Sequence, residues 1–199
     1  MDYYEQIASH CQGTIETIAM SVDHIADRLQ RGCDLMTSAL LDDGKIIACG
    51  NGADGALAQL FVSNLLGRFE QERPALPALS LGADSASLTG IIQSNSVNEI
   101  FSRQLRALGQ PGDVLLCINS GGSSPSLLRA VQAALERNMT VLLLSNDADT
   151  ELGTLIRAED VELRIEAPHQ AQLIEVFTLV LNCCCELIEQ NLFGDFQQD

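Results

Sequence analysis

Short apolar runs alternate with helix-patterned stretches along most of this chain, and that alternation restricts the fold more than any other feature. The runs are Lys45 to Cys49, Ala75 to Leu81, Asp113 to Ile118, Thr140 to Leu144 and Val161 to Ile165. Helical patterns separate them at Ala56 to Arg68, Ser85 to Ile92, Asn98 to Leu108, Ser124 to Arg137 and Gln170 to Leu192. Strands this apolar have no wet face, so they predict a parallel α/β sheet covered on both sides. Val161-Glu162-Leu163-Arg164-Ile165 alternates instead, which predicts a half-exposed edge strand.

Upstream of the first strand, Ile7, Cys11, Ile15, Ile18, Val22, Ile25 and Leu29 recur every three or four residues, the period of an amphipathic helix. A second helical stretch is expected from Leu35 to Leu41. In the last helix, Leu173, Phe177, Val180, Cys184 and Leu187 form one stripe, with Ile174, Leu181 and Ile188 beside it. A helix this apolar needs cover on more than one side. The first and last helices together predict a homo-oligomer packed through helices; a deeply buried helix inside a monomer is the alternative. No repeat or linker divides the chain. It reads as one domain over residues 1–199, with 1–42 as a helical oligomerisation segment and 43–199 as the α/β core.

The charge excludes several roles. With 27 acidic against 11 basic residues, the net charge is −16 with the histidines neutral. Such a surface repels nucleic-acid phosphates and anionic lipid, so direct binding to either is not expected. A role on DNA through a basic partner stays open. No apolar stretch reads as long enough to span a bilayer, and the first residues carry no basic leader. Seven cysteines, an odd number without paired spacing, predict reduced thiols and a cytoplasmic location.

The candidate binding loops follow two of the strands. Lys45 to Cys49 runs into Gly50-Asn51-Gly52 and then a helix, and such a turn offers backbone N–H groups at the positive end of a helix dipole. A second loop, Asn119-Ser120-Gly121-Gly122-Ser123-Ser124-Pro125-Ser126, follows the third strand. Ser124 suits an N-cap and Pro125 the first helical position. Either loop alone could serve only to cap its helix. Two of them at the carboxyl ends of parallel strands point to a small polar ligand. Asp54 counts against a tightly held anion by like-charge repulsion, unless it only caps the helix.

Inward positions on the first-loop helix hold Leu60 and Asn64, one turn apart, and neither is a good acid, base or metal ligand. His10, His24 and His169 are scattered and read as surface residues. Cys183-Cys184-Cys185 on a helix point about 100° apart, so they cannot converge on one tetrahedral ion and read as core. Beyond the last helix, Leu192, Phe193 and Phe196 are either tucked into a neighbouring subunit or offered to a partner, with tucking the default.

Several motifs, taken together, resemble the sugar isomerase (SIS) domain of the phosphoheptose isomerases. They are Gly50-Asn51-Gly52, Arg68-Phe69-Glu70, Glu72-Arg73-Pro74, Asp84-Ser85, Asn98-Glu99, the block from Arg106 to Leu116, and Cys183 to Ile188 with Leu192-Phe193. The resemblance implies a flavodoxin-like three-layer sandwich with a five-stranded parallel sheet, and a homotetramer. It places a phosphosugar pocket at Asn51, Gly52, Asp84, Ser120, Ser123 and Ser124. The family's divalent metal, held by His, Glu, Gln and His, would fall on Leu60, Asn64, Ile174 and Asn182. None of these is a ligand of that kind, so no metal, no cofactor and no catalytic residue are expected. One branch of the family associates with the replication initiator DnaA. Similarity to it implies a tetrameric, non-catalytic initiator-binding protein, with Leu192 and Phe193 as partner contacts. A phosphosugar sensor, or an isomerase using Glu99 or Glu175, is the alternative.

Overall fold

The computed structural model describes residues 3–149 and 151–194. Its first element is a single helix, α1 (Tyr3–Leu41), where the sequence predicts two pieces. The apolar period lapses around Gly32, but that glycine does not break the helix. A Cβ there would come within 2.9 Å of the Leu142 side chain, so Gly32 lets α1 lie close against the sheet. The carboxyl half of α1 buries Ile25, Cys33, Met36 and Ala39. The amino half leaves Ile7, Ile15, Met20 and Val22 exposed.

From α1 the chain alternates as predicted: β1 (Ile46–Gly50), α2 (Ala53–Leu66), β2 (Ala78–Ser80), α3 (Ser85–Ser94), α4 (Ser102–Leu108), β3 (Val114–Ile118), α5 (Pro125–Glu136), β4 (Thr140–Asn146), β5 (Val161–Ile165) and α6 (Gln170–Phe193). Two expected spans shrink. The helix predicted from Asn98 becomes a 3-10 turn, Val97–Glu99, followed by α4. The strand predicted from Ala75 keeps only three residues. Pro74 and Pro77 have no N–H to give a ladder, and the Leu76 N–H bonds back to the Leu65 carbonyl instead.

All five strands are parallel, in the order β2-β1-β3-β4-β5. Successive residues of each central strand feed opposite layers. Ile46, Ala48, Leu116 and Leu142 pack with α1, α2 and α6, whereas Ile47, Cys49, Leu115 and Leu143 pack with α4 and α5. This is the three-layer sandwich that the alternation predicts. Edge strand β5 alternates buried and half-buried residues, as its sequence pattern requires.

By length and composition α6 is apolar enough to cross a membrane, contrary to the reading that no stretch is long enough. Within the fold that apolarity has another use. The helix lies between α1 and α2 and buries Leu173, Val176, Phe177, Val180, Leu181 and Ile188. Because β1 and β3 are neighbours while β2 lies outside them, the connections diverge at β1/β3. That divergence opens a crevice at their carboxyl ends.

Candidate functional site

Both candidate loops open onto this crevice, and one side chain ties them together. The Asn51 amide donates to Ser124 Oγ and to Ser126 Oγ, each at 3.0 Å. Gly52 has φ 56° and ψ −120°, a conformation that disfavours any residue with a Cβ. A Cβ on Gly50 would lie 2.6 Å from the Asp54 carbonyl carbon, and one on Gly55 would lie 2.8 Å from the Gly50 oxygen. The turn is therefore closed up on itself, and Asp54 is held at its inner side.

Asp54 is only 5 % exposed. Its Oδ2 accepts the backbone N–H of Ser120 at 2.9 Å, across from the other loop. Its Oδ1 is buried without a hydrogen-bond partner among the described residues. Burial pushes the carboxyl above its ordinary range, outweighing the Ser120 hydrogen bond that pulls it down. The helix-capping alternative for Asp54 does not hold, because its carboxylate bonds the opposite loop and the cap position belongs to Gly52.

The other predicted pocket residues differ in their hydrogen-bond partners. Ser120 Oγ accepts from the Gln170 amide at the start of α6, at 3.2 Å. Beside Ser120, a cavity of about 250 Å³ is bounded by Asn146, Asp147, Gln170 and Leu173. Among the described residues, Asp147 is the only charged one lining it. Ser123 donates to Glu151 at 2.7 Å, and Ser124 is the N-cap residue of α5, without a side-chain cap bond. Asp84 caps α3, accepting from the Ala86 N–H at 3.0 Å and from the Ser87 hydroxyl. Those bonds, the Ser87 hydroxyl first, hold its carboxyl below the usual range.

Sequence reasoning placed Asn119 and Ser126 in the second loop without a role of their own, and missed Gln170. Asn119 donates to Asp149 at 2.8 Å and to the Gly122 carbonyl, which fixes the shape of the second loop. Their polar side chains beside a glycine-rich turn were the available signal.

The four positions that correspond to the family's metal ligands do not fit a divalent cation. Leu60 is 42 % exposed and Ile174 packs against the core. The Asn64 amide faces Cys185 Sγ at 3.9 Å, and burial pushes that thiol up to about 12, so it stays protonated. Asn182 adds only a neutral amide. The two substitute carboxylates are engaged elsewhere. Glu175 bonds Thr14 and His10, and Glu99 bonds Ser102, Arg106 and Arg129. Both are held below the usual range, Glu175 chiefly by Thr14 and Glu99 chiefly by Ser102, which makes them weaker bases.

Two glycine- and serine-rich loops joined at the β1/β3 divergence of a flavodoxin-like parallel sheet define the class of α/β domain, and comparison with known proteins gives its family. Residues 2–146 match the SIS domain. The chain belongs to the SIS family. It is 40 % identical over 194 residues to a phosphoheptose isomerase of Chromohalobacter salexigens, covering 98 % of each chain. It is 43 % identical over 180 residues to the DnaA initiator-associating protein DiaA of Photorhabdus laumondii, covering 90 % of this chain and 92 % of the relative. A phosphoheptose isomerase structure from Francisella tularensis superimposes with a TM-score of 0.91 at 33 % identity, over 96 % of this chain and all of that one.

These relatives correct one expectation. The absent ligand set predicts a chain without catalysis, yet full-length relatives and structural neighbours are named phosphoheptose isomerases and point to an enzyme. The side chains at 60, 64, 174 and 182 are thus a departure within a lineage that includes enzymes. They do not remove the chain from it.

Proposed function

We propose that this SIS-domain protein binds the replication initiator DnaA in the cytoplasm, acting as a homotetramer that promotes initiator assembly at the origin. The observation that carries this reading is 43 % identity, over most of both chains, to a relative named for its association with DnaA. The end of α6 supports it. Leu192 rests against the core, whereas Phe193 is 42 % exposed just before Gly194. A half-exposed aromatic on a fixed helix end suits an interface anchor. Asp195 and Phe196 lie outside the described residues.

Oligomerisation gives the second support. The exposed apolar side chains on the amino half of α1 need a cover, and a second copy of the chain provides one. Several identical α6 ends on one particle would then capture initiators by avidity. The net charge of −16 keeps the particle off DNA while a basic partner holds the origin.

A second reading, sugar-phosphate isomerisation, is favoured by the names of the full-length relatives. Calorimetric titration of the purified protein with DnaA tests the first reading, with heptose-phosphate turnover assayed on the same sample. Micromolar or tighter binding is expected, and it should weaken about tenfold or more in Phe193→Ala with the oligomer unchanged. Turnover without any measurable DnaA binding would overturn the proposal in favour of the isomerase.

A further inference from the structure

We infer that Asp54 determines ligand specificity: its carboxylate occupies the backbone amide a bound anion would use, and so weakens binding of phosphate esters between the two loops. The inference is independent of the initiator reading, which concerns the opposite end of α6.

The geometry fixes the side chain in that role. Close packing among Gly50, Gly55 and the Asp54 backbone leaves the turn little room to swing the side chain away. Across the crevice, the Ser120 N–H at the end of β3 is aimed inward and is taken by Asp54 Oδ2 at 2.9 Å. A phosphate oxygen and this carboxylate oxygen would compete for that donor. They would also repel each other in a setting too dry for strong screening. Among the described residues no cation is bonded to Asp54. Asn51, Ser124 and Ser126 are neutral, and the cavity beside Ser120 has Asp147 as its charged residue and no Lys or Arg.

The remaining oxygen, Oδ1, is buried and lacks a donor among the described residues, so no hydrogen bond to it offsets the carboxylate's charge toward an incoming anion.

The test uses inorganic phosphate as the probe, titrated calorimetrically into wild type, Asp54→Ser and Asp54→Asn at fixed ionic strength. Serine frees the Ser120 amide and removes the charge, so phosphate should bind about tenfold or more tightly than to wild type. Asparagine keeps an acceptor for the amide but loses the charge, so it should fall between the two. Equal phosphate affinity in wild type and Asp54→Ser, or tighter binding by wild type, overturns the inference. If the serine variant does not fold, the asparagine variant decides alone, and no gain there overturns it. DnaA capture measured on the same variants bears only on the initiator reading, so the two can fail separately.

Discussion

Two buried carboxylates sit at opposite ends of α2, and their surroundings could hardly differ more. Glu189, on α6, is fully buried, and its oxygens accept the N–H groups of Phe69, Glu70 and Gln71. Arg73 Nε reaches it at 2.6 Å, and the rest of that guanidinium bonds the carbonyls of Asn64, Leu65 and Pro74. Burial alone would push Glu189 up, but Arg73 and the three amides together hold it below the ordinary range. Asp54 has one amide, no cation and one unpartnered oxygen, and burial wins. Both groups are buried. The difference lies in how many donors surround each. One staples the segment after α2 onto α6, and the other bridges to the loop after β3 through a single amide.

Breaking the staple should have the largest effect. Glu189→Ala leaves the Arg73 guanidinium buried without its ion partner and is expected to cost about 3–5 kcal/mol, read as a lower urea midpoint. A loss below about 1 kcal/mol would erase the contrast between the two carboxylates.

Next comes the turn that positions Asp54. Gly50→Ala drives a methyl into the Asp54 backbone and should cost about 1–3 kcal/mol. Asn51→Ala removes two exposed or half-buried hydrogen bonds between the loops and should cost about 1 kcal/mol. Thermal unfolding at one protein concentration ranks these two, and the reverse order would mean that the side-chain bridge outweighs the close turn.

The smallest effect sharpens the comparison most. Asp54→Asn should lie within about 1 kcal/mol of wild type at pH 7, on the side of a gain. The sign follows from linkage. Because the folded value of Asp54 is raised, the stability from its proton is fully present below the unfolded value of 3.8 and is lost as pH rises through the folded value. For Glu189 the folded value is depressed, so its contribution is present above 4.5 and is lost as pH falls through the folded value. Urea midpoints of wild type and Asp54→Asn from pH 3 upward should therefore converge at the acid end and separate toward neutrality.

The parallel sheet was legible because hydrophobic alternation reports burial directly. The strands after Lys45, Asp113 and Thr140 carry long apolar runs, and the edge strand at Val161 alternates. The two loops were legible as glycine and serine turns, and Asn51, Ser120 and Ser124 do meet across the crevice through Ser126, Asp54 and Gln170. Asp84 is bonded within its own helix, since a carboxylate two residues before an amide satisfies that N–H locally. The continuity of α1 was hidden because a glycine in a helix reads as a break in one dimension and as a close approach in three.

By itself, then, the sequence determined the layers, the strand order of events along the chain, the acidic surface and the residue types at the crevice. These depend on local period, composition and turn chemistry. Only the tertiary structure decided that Asp54 bonds the Ser120 amide while Glu189 gathers four donors. The partners of a buried charge are brought from 66 and more than 100 positions away, and no local pattern records whether enough of them arrive.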